Sequence, residues 1–511
     1  MSDPAAGLRL AELLGPLSLV MDLGRGQPSE ESIQSCLLAT GLGRTMELPE
    51  ADVAVVFYAS LLRHLGCTAS SHEESVVLGD ELAMRPVMNR TDFTRPAELL
   101  SAMSAARQTL GIGAVARMVT GFGGARGARI PTSICEVGRQ LAERLDMETQ
   151  VADGVYQAFE RWDGKGLPEH LRGEEISLAA RLSSVASQAL AAYHAGGPEA
   201  AVQRIGHKSG GWFDPAIGEV FRRHGPALLA EVASADPLEA VLEAEPHPRR
   251  LYPRERLPVV ARAFGDMVDL KTPCMHGHSP RVAGLAAGAA RSLGLGDTGA
   301  ETLELAGLLH DLGRLGVPGG IWERPGPFTS TDWERVRLHP YHSERILTRV
   351  PALAHVALLA GGHHERLDGS GYHRQLMGSA LTAETSTLAA ADVFAGMTAD
   401  RPHRAAHPPD KAAAELRRLA DGRLDLDAVR AVLNAAGETP PPARGAPAGL
   451  SEREIEVLRL MTQGLSNREI GKRLFISGRT AEHHVQHIYT KIGVSTRAAA
   501  AMFAMHHDLV E

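Results

Sequence analysis

Apolar residues recur along most of this chain at helical spacing. In ETLELAGLLHDLG, Leu303 and Ala306 precede His310 by seven and four residues, so the histidine falls on the apolar stripe of a helix. Asp311 follows at once. Burying an unpaired carboxylate costs on the order of several kcal/mol, so something must take up that charge. The same periodicity predicts an all-α bundle over residues 255–435. Its helix-start signals are Ser279-Pro280 and the spacings Thr298-x-x-Glu301 and Thr331-x-x-Glu334.

The pattern occurs twice. ASLLRHLGCTA (59–69) echoes AGLLHDLGRLG (306–316) at an offset of 247. QAFERWDGKGLPEHLRGEEISLAARLSSVAS (157–187) echoes HHERLDGSGYHRQLMGSALTAETSTLAAAD (363–392) at about 206. The first copy thus holds about 40 extra residues, including the Gly-rich GFGGARGARIP, read as a loop. Two long related copies point to duplication and not to a short-period solenoid. After them, AAGETPPPARGAPAG (435–449) reads as a semi-extended linker. The tail beyond it divides into four short helices. Ser451/Glu454 and Ser466/Glu469 open the first two as capping boxes, and Phe475–Gly478 makes a turn. A third helix runs from about Arg479 to Lys491, and a fourth starts near Thr496. Two short helices and a longer one are helix-turn-helix geometry.

Composition narrows the classes. A chain of 511 residues suggests about three domains. Aromatics are only 4%, which favours helices over large sheets. The net charge of −8 gives no overall nucleic-acid signature, so any DNA contact belongs to a local module. Cys36, Cys67, Cys135 and Cys274 are scattered, without the C-x-x-C spacing of structural zinc or a redox pair. The apolar AELLGPLSLVMDLG is short and broken by Glu12, Pro16 and Asp22. No membrane span is expected, and the expected setting is cytoplasmic.

Histidines and aspartates recur at helix edges in the second copy: His278, His310, Asp311, His339, His363, His364 and Asp392. Neutral imidazoles and carboxylates suit Fe, Mn or Zn. The set exceeds one ion's needs and fits two, with Asp311 bridging them. Two ions a few Å apart clamp a phosphoryl oxygen and acidify a shared water. A lone histidine on an apolar helix is usually a satisfied core residue, but six separated pieces in one domain argue for ligation.

The ordered set GHS, HDLGRLGVP, HP, HHERLDGSGY and AADVF resembles the HD-GYP family of HD phosphohydrolases over roughly residues 260–430. The resemblance implies a helical bundle, an iron or manganese centre on those seven residues, and cyclic di-GMP phosphodiester hydrolysis. Three departures stand out. Cys274 occupies the position of a glutamate that supports a third ion in some members, which favours two. The usual lysine is Arg314, which keeps the charge that meets phosphate. Ala395 replaces an aspartate linked to substrate contact or leaving-group protonation, and the GYP triplet reads Gly371-Tyr372-His373. His373 is either a polar loop residue or a substitute acid. Arg366, Arg401, Arg404 and Asp400 either meet phosphate or are solvated surface charges, and Arg366 with Asp368 could form a loop ion pair.

The first copy lacks the ligands. Arg63-His64 replaces His310-Asp311, Glu31 replaces His278, Gln157-Ala158 the tandem histidines and Ser187 Asp392. Ser133 or Ile134 falls near the His339 position. Its expected role is dimerisation, ligand sensing or structural support.

The tail motifs SEREIEVLRLM, GLSNREI and TAEHHVQHIYTKIGV with STRAAA resemble the LuxR-type DNA-binding domain. The alternative is a helical protein-interaction tail. Lys472, Arg473, Arg479 and Lys491 are expected at phosphates, Glu482, His483, Gln486 and His487 in the groove, and Thr480 among the DNA-binding residues. In that family the fourth helix often dimerises. The chain therefore reads as duplicated HD-type helical bundles followed by a four-helix LuxR-type domain. The boundaries are 1–250 (degenerate copy), 251–435 (HD-GYP-like), 436–448 (linker) and 449–511 (DNA-binding). The expected function is a homodimeric one-component regulator of promoter DNA. Its second copy either hydrolyses a cyclic dinucleotide or other phosphate ester, or binds a nucleotide without turnover.

Overall fold

The computed structural model describes residues 7–121, 125–437 and 447–510. The chain forms two compact units, Met1–Leu257 and Pro258–Glu511. Both are helical. The strands among the described residues are Leu8–Arg9 and Leu251–Tyr252, paired antiparallel within the first unit. No described helix is long and apolar enough to cross a membrane.

In the first unit the apolar AELLGPLSLVMDLG lies in the helix Leu10–Gly24, buried on nearly every side. It packs with Glu31–Thr45, Glu50–Leu61 and Pro237–Ala244. Helix Leu178–Lys208 covers Glu31–Thr45 and Glu50–Leu61. The extra segment of this copy is mostly ordered helix: Ser71–Leu78, Glu81–Arg90, Pro96–Leu110 and Ile112–Gly121, around Leu78, Met84, Ala106 and Met118. Of the Gly-rich stretch expected as a loop, the described residues are helical at both ends, with Gly121 ending Ile112–Gly121. Residues 122–124 lie outside the described ones, and from Ala125 the chain is already in the helix Ala125–Arg144.

In the second unit, helices His278–Ser292, Gly296–Leu309, Ala383–Met397 and Leu426–Gly437 form the bundle, and His339–Leu347 packs on Ala354–Gly362. Several expected caps shift. Helix His278–Ser292 starts after Gly277, whose left-handed φ of 78° suits glycine, and Ser279 bonds Asp269 instead of capping. Gly296–Leu309 has no side-chain cap, so Thr298 and Glu301 form no box. The box assigned to Thr331 and Glu334 is formed by Thr329 and Asp332. In the tail, Glu452–Thr462, Asn467–Arg473, Gly478–Ile492 and Arg497–His506 surround a core of Val457, Leu458, Ile470, Val485 and Ile488. Both tail boxes form as read. Of the linker, residues 438–446 lie outside the described ones.

The units repeat the same internal hydrogen bonds. Asp22 accepts from Ser32 N and Oγ, as Asp269 does from Ser279 N and Oγ. Glu30 and Gly277 start equivalent helices at φ 77° and 78°. A β-carbon on Gly66 would lie 2.0 Å from Ile134 O, and one on Gly313 2.0 Å from His339 O. Glu160 clasps the N–H groups of Glu169 and Leu171, as Glu365 clasps those of Arg374 and Leu376. These pairings fix the offset at 247 (269 − 22) for the first block and 205 (365 − 160) for the second. The counterparts of His363 and His364 are therefore Ala158 and Phe159, one residue on from the Gln157-Ala158 reading, and Ile134 stands for His339.

Candidate metal centre

Most of the candidate ligands sit where an apolar helix starts or stops. His310 and Asp311 end the helix Gly296–Leu309, His363 ends Ala354–Gly362, and His278 and His339 begin theirs. Asp392 comes from the middle of Ala383–Met397. Helix ends leave backbone carbonyls unpaired, and the site uses them. His310, His339 and His363 donate from Nδ1 to Gly307 O, Val336 O and Ala360 O at 2.8, 2.6 and 2.6 Å. That fixes the tautomer and turns each Nε2 lone pair inward.

The inward atoms fall into groups. His278, His310 and Asp392 form one, His339, His363 and His364 another, and Asp311 joins His310 and His363 in a third. Asp311 Oδ2 lies 3.8 Å from His278 Nε2 and 3.4 Å from His310 Nε2. Its Oδ1 lies 3.2 Å from His339 Nε2 and 3.7 Å from His363 Nε2. One carboxylate thus presents a different oxygen to each side. His310 Nε2 is buried and makes no hydrogen bond. Such an atom is costly unless it has another partner, and a divalent ion fits the donor set.

Burial favours the neutral form of three of the imidazoles, pushing His278 down to about 4, His363 to about 3 and His364 well below its usual value. Burial opposes charge on Asp311, but His310, Arg314 and His339 outweigh it and hold the carboxyl well below its ordinary range. His278 and His364 do the same for Asp392. Neutral imidazoles beside ionised carboxylates are the protonation states that ligation requires.

Arg314 stands beside this centre, with Nη1 3.2 Å from Asp311 Oδ2 and its guanidinium 3.9 Å over the Trp322 ring. Arg366 donates from Nη1 to His363 O and Glu365 O. Arg401 reaches Cys274 O at 3.4 Å and contacts Met275 Sδ. Asp400 and Arg404 close their own loop, through Ala406 N and through Gly396 O and Met397 O. The Arg366–Asp368 pair does not form, because Asp368 pairs with Arg423 at 3.3 Å. His373 faces Glu344 at 3.9 Å, whereas Tyr372 lies 4.3 Å from the His364 ring and 6.1 Å from that of His339. Burial raises the Tyr372 phenol to about 12, so it keeps its proton. Sequence reasoning missed Asp269, Glu365 and Trp322, whose partners lie more than one helical turn away in the chain. The conserved spacing of Asp22/Ser32 and Asp269/Ser279 within the repeat was the available signal.

In the tail, Lys472, Arg473, Arg479, Thr480, Glu482, His483, Gln486 and His487 are exposed around the turn and third helix. Lys491 differs. Its Nζ lies 2.6 Å from Glu454 Oε2 and 3.0 Å from Gly449 O, so it ties the domain together. The tail rests on the helix that carries Asp269. Arg262 Nη2 donates to Met505 O at 2.6 Å and Asp508 Oδ1 at 3.0 Å, and a β-carbon on Gly277 would meet Val510 at 3.5 Å.

Comparison with known proteins gives the family of each part of the chain. An HD-domain family model matches residues 129–217 and 262–427. The 3'3'-cGAMP-specific phosphodiesterase 3 of Vibrio cholerae is 31% identical over 416 residues, 79% of this chain and 90% of that protein. The chain belongs to the HD-GYP family. A crystal structure of a cyclic GMP-AMP specific phosphodiesterase from V. cholerae matches 85% of this HD-GYP protein and 99% of its own chain, with TM-score 0.59 and 28% identity. A cyclic di-GMP phosphodiesterase response regulator of Xanthomonas campestris is 34% identical over 165 residues, 32% of this chain and 43% of that protein. The model of bacterial regulatory proteins of the luxR family matches residues 448–504. The chain therefore joins HD-type phosphohydrolase architecture, a metal-dependent class, to a LuxR-type DNA-binding domain.

Proposed function

We propose that the second unit is a two-ion phosphodiesterase for a cyclic dinucleotide and that its state tunes the DNA-binding tail. The observation that carries this is Asp311, whose two oxygens face two separate imidazole groups. His278, His310 and Asp392 would hold one ion, His339, His363 and His364 the other, with Asp311 shared. A nitrogen and oxygen set without thiolate suits iron or manganese. When bound, two such ions polarise a phosphoryl oxygen and make water acidic enough to attack at neutral pH.

The chain's own residues do the rest. Arg314 is held between Asp311 and Trp322, where its fork can receive a phosphoryl oxygen. Arg366 and Arg401 add positive charge beside the ligands. Ala395 supplies no acid, and His373 is directed to Glu344. Tyr372 keeps its phenolic proton next to His364 and is placed to give it to a departing alkoxide. Cyclic GMP-AMP joins cyclic di-GMP as a substrate candidate, since the relative matched over most of its length is named for it.

The first copy, residues 1–250, lacks the ligands and is read as non-catalytic. The tail, 449–511, binds promoter DNA as a homodimer in the cytoplasm, and its contact with the helix carrying Asp269 supplies a route for coupling. The loss of an acid at Ala395 favours a second reading, nucleotide binding without turnover. The test is incubation of the iron- or manganese-loaded full chain with cyclic GMP-AMP and cyclic di-GMP. A linear product that Asp311→Ala fails to make supports hydrolysis. Binding without product supports the second reading.

A further inference from the structure

The first unit has a cavity at the place where the second has its ligands. It measures about 160 Å³ and is lined by Arg25, Glu31, Asn89, Arg90, Ser187 and Gln188, among others. Glu31 and Ser187 are the counterparts of His278 and Asp392. Arg25 is 4% exposed, and its Nη1 makes no hydrogen bond, lying 3.9 Å from Asp22 Oδ1. Its Nη2 is 3.4 Å from Glu31 Oε1. Arg63, which fills the position of His310, donates to Ser183 Oγ and Ala158 O and does not line the cavity.

The wall is built by the segment that the second copy lacks. Pro86, Asn89 and Arg90 belong to the helix Glu81–Arg90, and Gln188 Nε2 donates to Asn89 O at 2.7 Å, which ties that helix to Leu178–Lys208. Two arginines, Arg25 and Arg90, thus line the cavity with a single carboxylate, Glu31, and Arg25 also faces Asp22. Burial raises Asp22 to about 7, which leaves it partly neutral near neutral pH and adds to the excess of positive charge.

We propose that this cavity binds the phosphoryl group of a nucleotide and holds it without hydrolysis. Where the second unit would present metal charge to a phosphate, the first presents guanidinium forks, which match phosphate oxygens but activate no water. The volume encloses one phosphoryl group and leaves the remainder of a larger ester outside. A terminal phosphate carries more charge than a phosphodiester, so a linear dinucleotide binds more tightly than a cyclic one.

The test is equilibrium binding to the metal-stripped full chain, so that it stands apart from the hydrolytic reading. The probes are inorganic phosphate, a linear dinucleotide with a terminal phosphate, and cyclic GMP-AMP. The expected result is one equivalent bound per chain, weakened about tenfold or more in Arg25→Gln and in Arg90→Ala. Which probe binds most tightly separates free phosphate from a nucleotide as the source. Arg90 lies at the edge of the cavity, so Arg90→Ala decides the matter if Arg25→Gln fails to fold. Absence of binding by all three probes, or unchanged affinity in Arg90→Ala, overturns the proposal.

Discussion

The two units keep one framework and fill it with opposite chemistry. Asp22 and Asp269 hold equivalent serines, Gly66 and Gly313 admit equivalent backbone carbonyls, and Glu160 and Glu365 clasp equivalent loops. At the centre, one unit collects five imidazoles and two carboxylates, and the other sets the Arg25 guanidinium against Glu31 and Asp22. The framework is therefore separable from the chemistry it carries. A helix end that turns His310 inward does the same for Arg63, because burial and backbone geometry and not ligand identity decide the turn.

The largest expected effect breaks the comparison at its centre. Asp311→Ala should cost more than about 100-fold in turnover, since it removes the oxygens shared by both groups. His64→Ala, at the matching position, should leave turnover within about twofold. Steady-state hydrolysis of cyclic GMP-AMP compares them. A similar loss in both would mean that the first unit takes part in the chemistry.

Asp269 and Asp22 sharpen it further. Asp269→Ala should weaken metal affinity about 10–100-fold by freeing Ser279 beside His278. Asp22→Asn should leave metal binding unchanged and alter stability instead. Burial raises the folded Asp22 carboxyl from 3.8 to about 7. The folded state therefore holds this proton more tightly than the unfolded chain. The stabilisation is full below about pH 4 and is lost as pH rises through about 7. Removing the titration should favour the variant by up to about 4 kcal/mol at high pH. Urea unfolding at about pH 5 and about pH 8 reads it, and an identical pH slope in both proteins contradicts the assignment.

Much of this was legible in the sequence because local spacing encodes it. His310-Asp311 and His363-His364 at the ends of apolar helices mark the centre, and Ser451/Glu454 and Ser466/Glu469 mark the tail helices. What escaped depends on distant partners. Lys491 reads as a phosphate contact until Glu454, 37 residues earlier, is seen to hold it. Asp368 pairs with Arg423, 55 residues on, and not with its neighbour Arg366. The register slip at Ala158 and Phe159 arose because letter similarity tolerates a one-residue shift that the Glu160 clasp does not.

Two smaller effects concern the tail. Arg262→Ala should leave intrinsic DNA affinity within a few-fold and remove its dependence on bound nucleotide, because Arg262 joins Met505 and Asp508 to the helix of Asp269. Titration with and without cyclic dinucleotide measures this, and retained dependence rules out that contact as the route. Lys472→Ala should lower the salt dependence of DNA binding by about one unit of slope, whereas Lys491→Ala should change thermal stability and not the slope. Equal slopes in all three proteins would remove Lys472 from the interface.

The central claim is that metal belongs to the second unit alone. The direct measurement is the metal-to-chain ratio of purified full-length protein by elemental analysis, beside Asp311→Ala and His64→Ala. Two ions per chain are expected in the parent and in His64→Ala, falling to one or none in Asp311→Ala. Full metal content in Asp311→Ala, or loss of metal in His64→Ala, would contradict it.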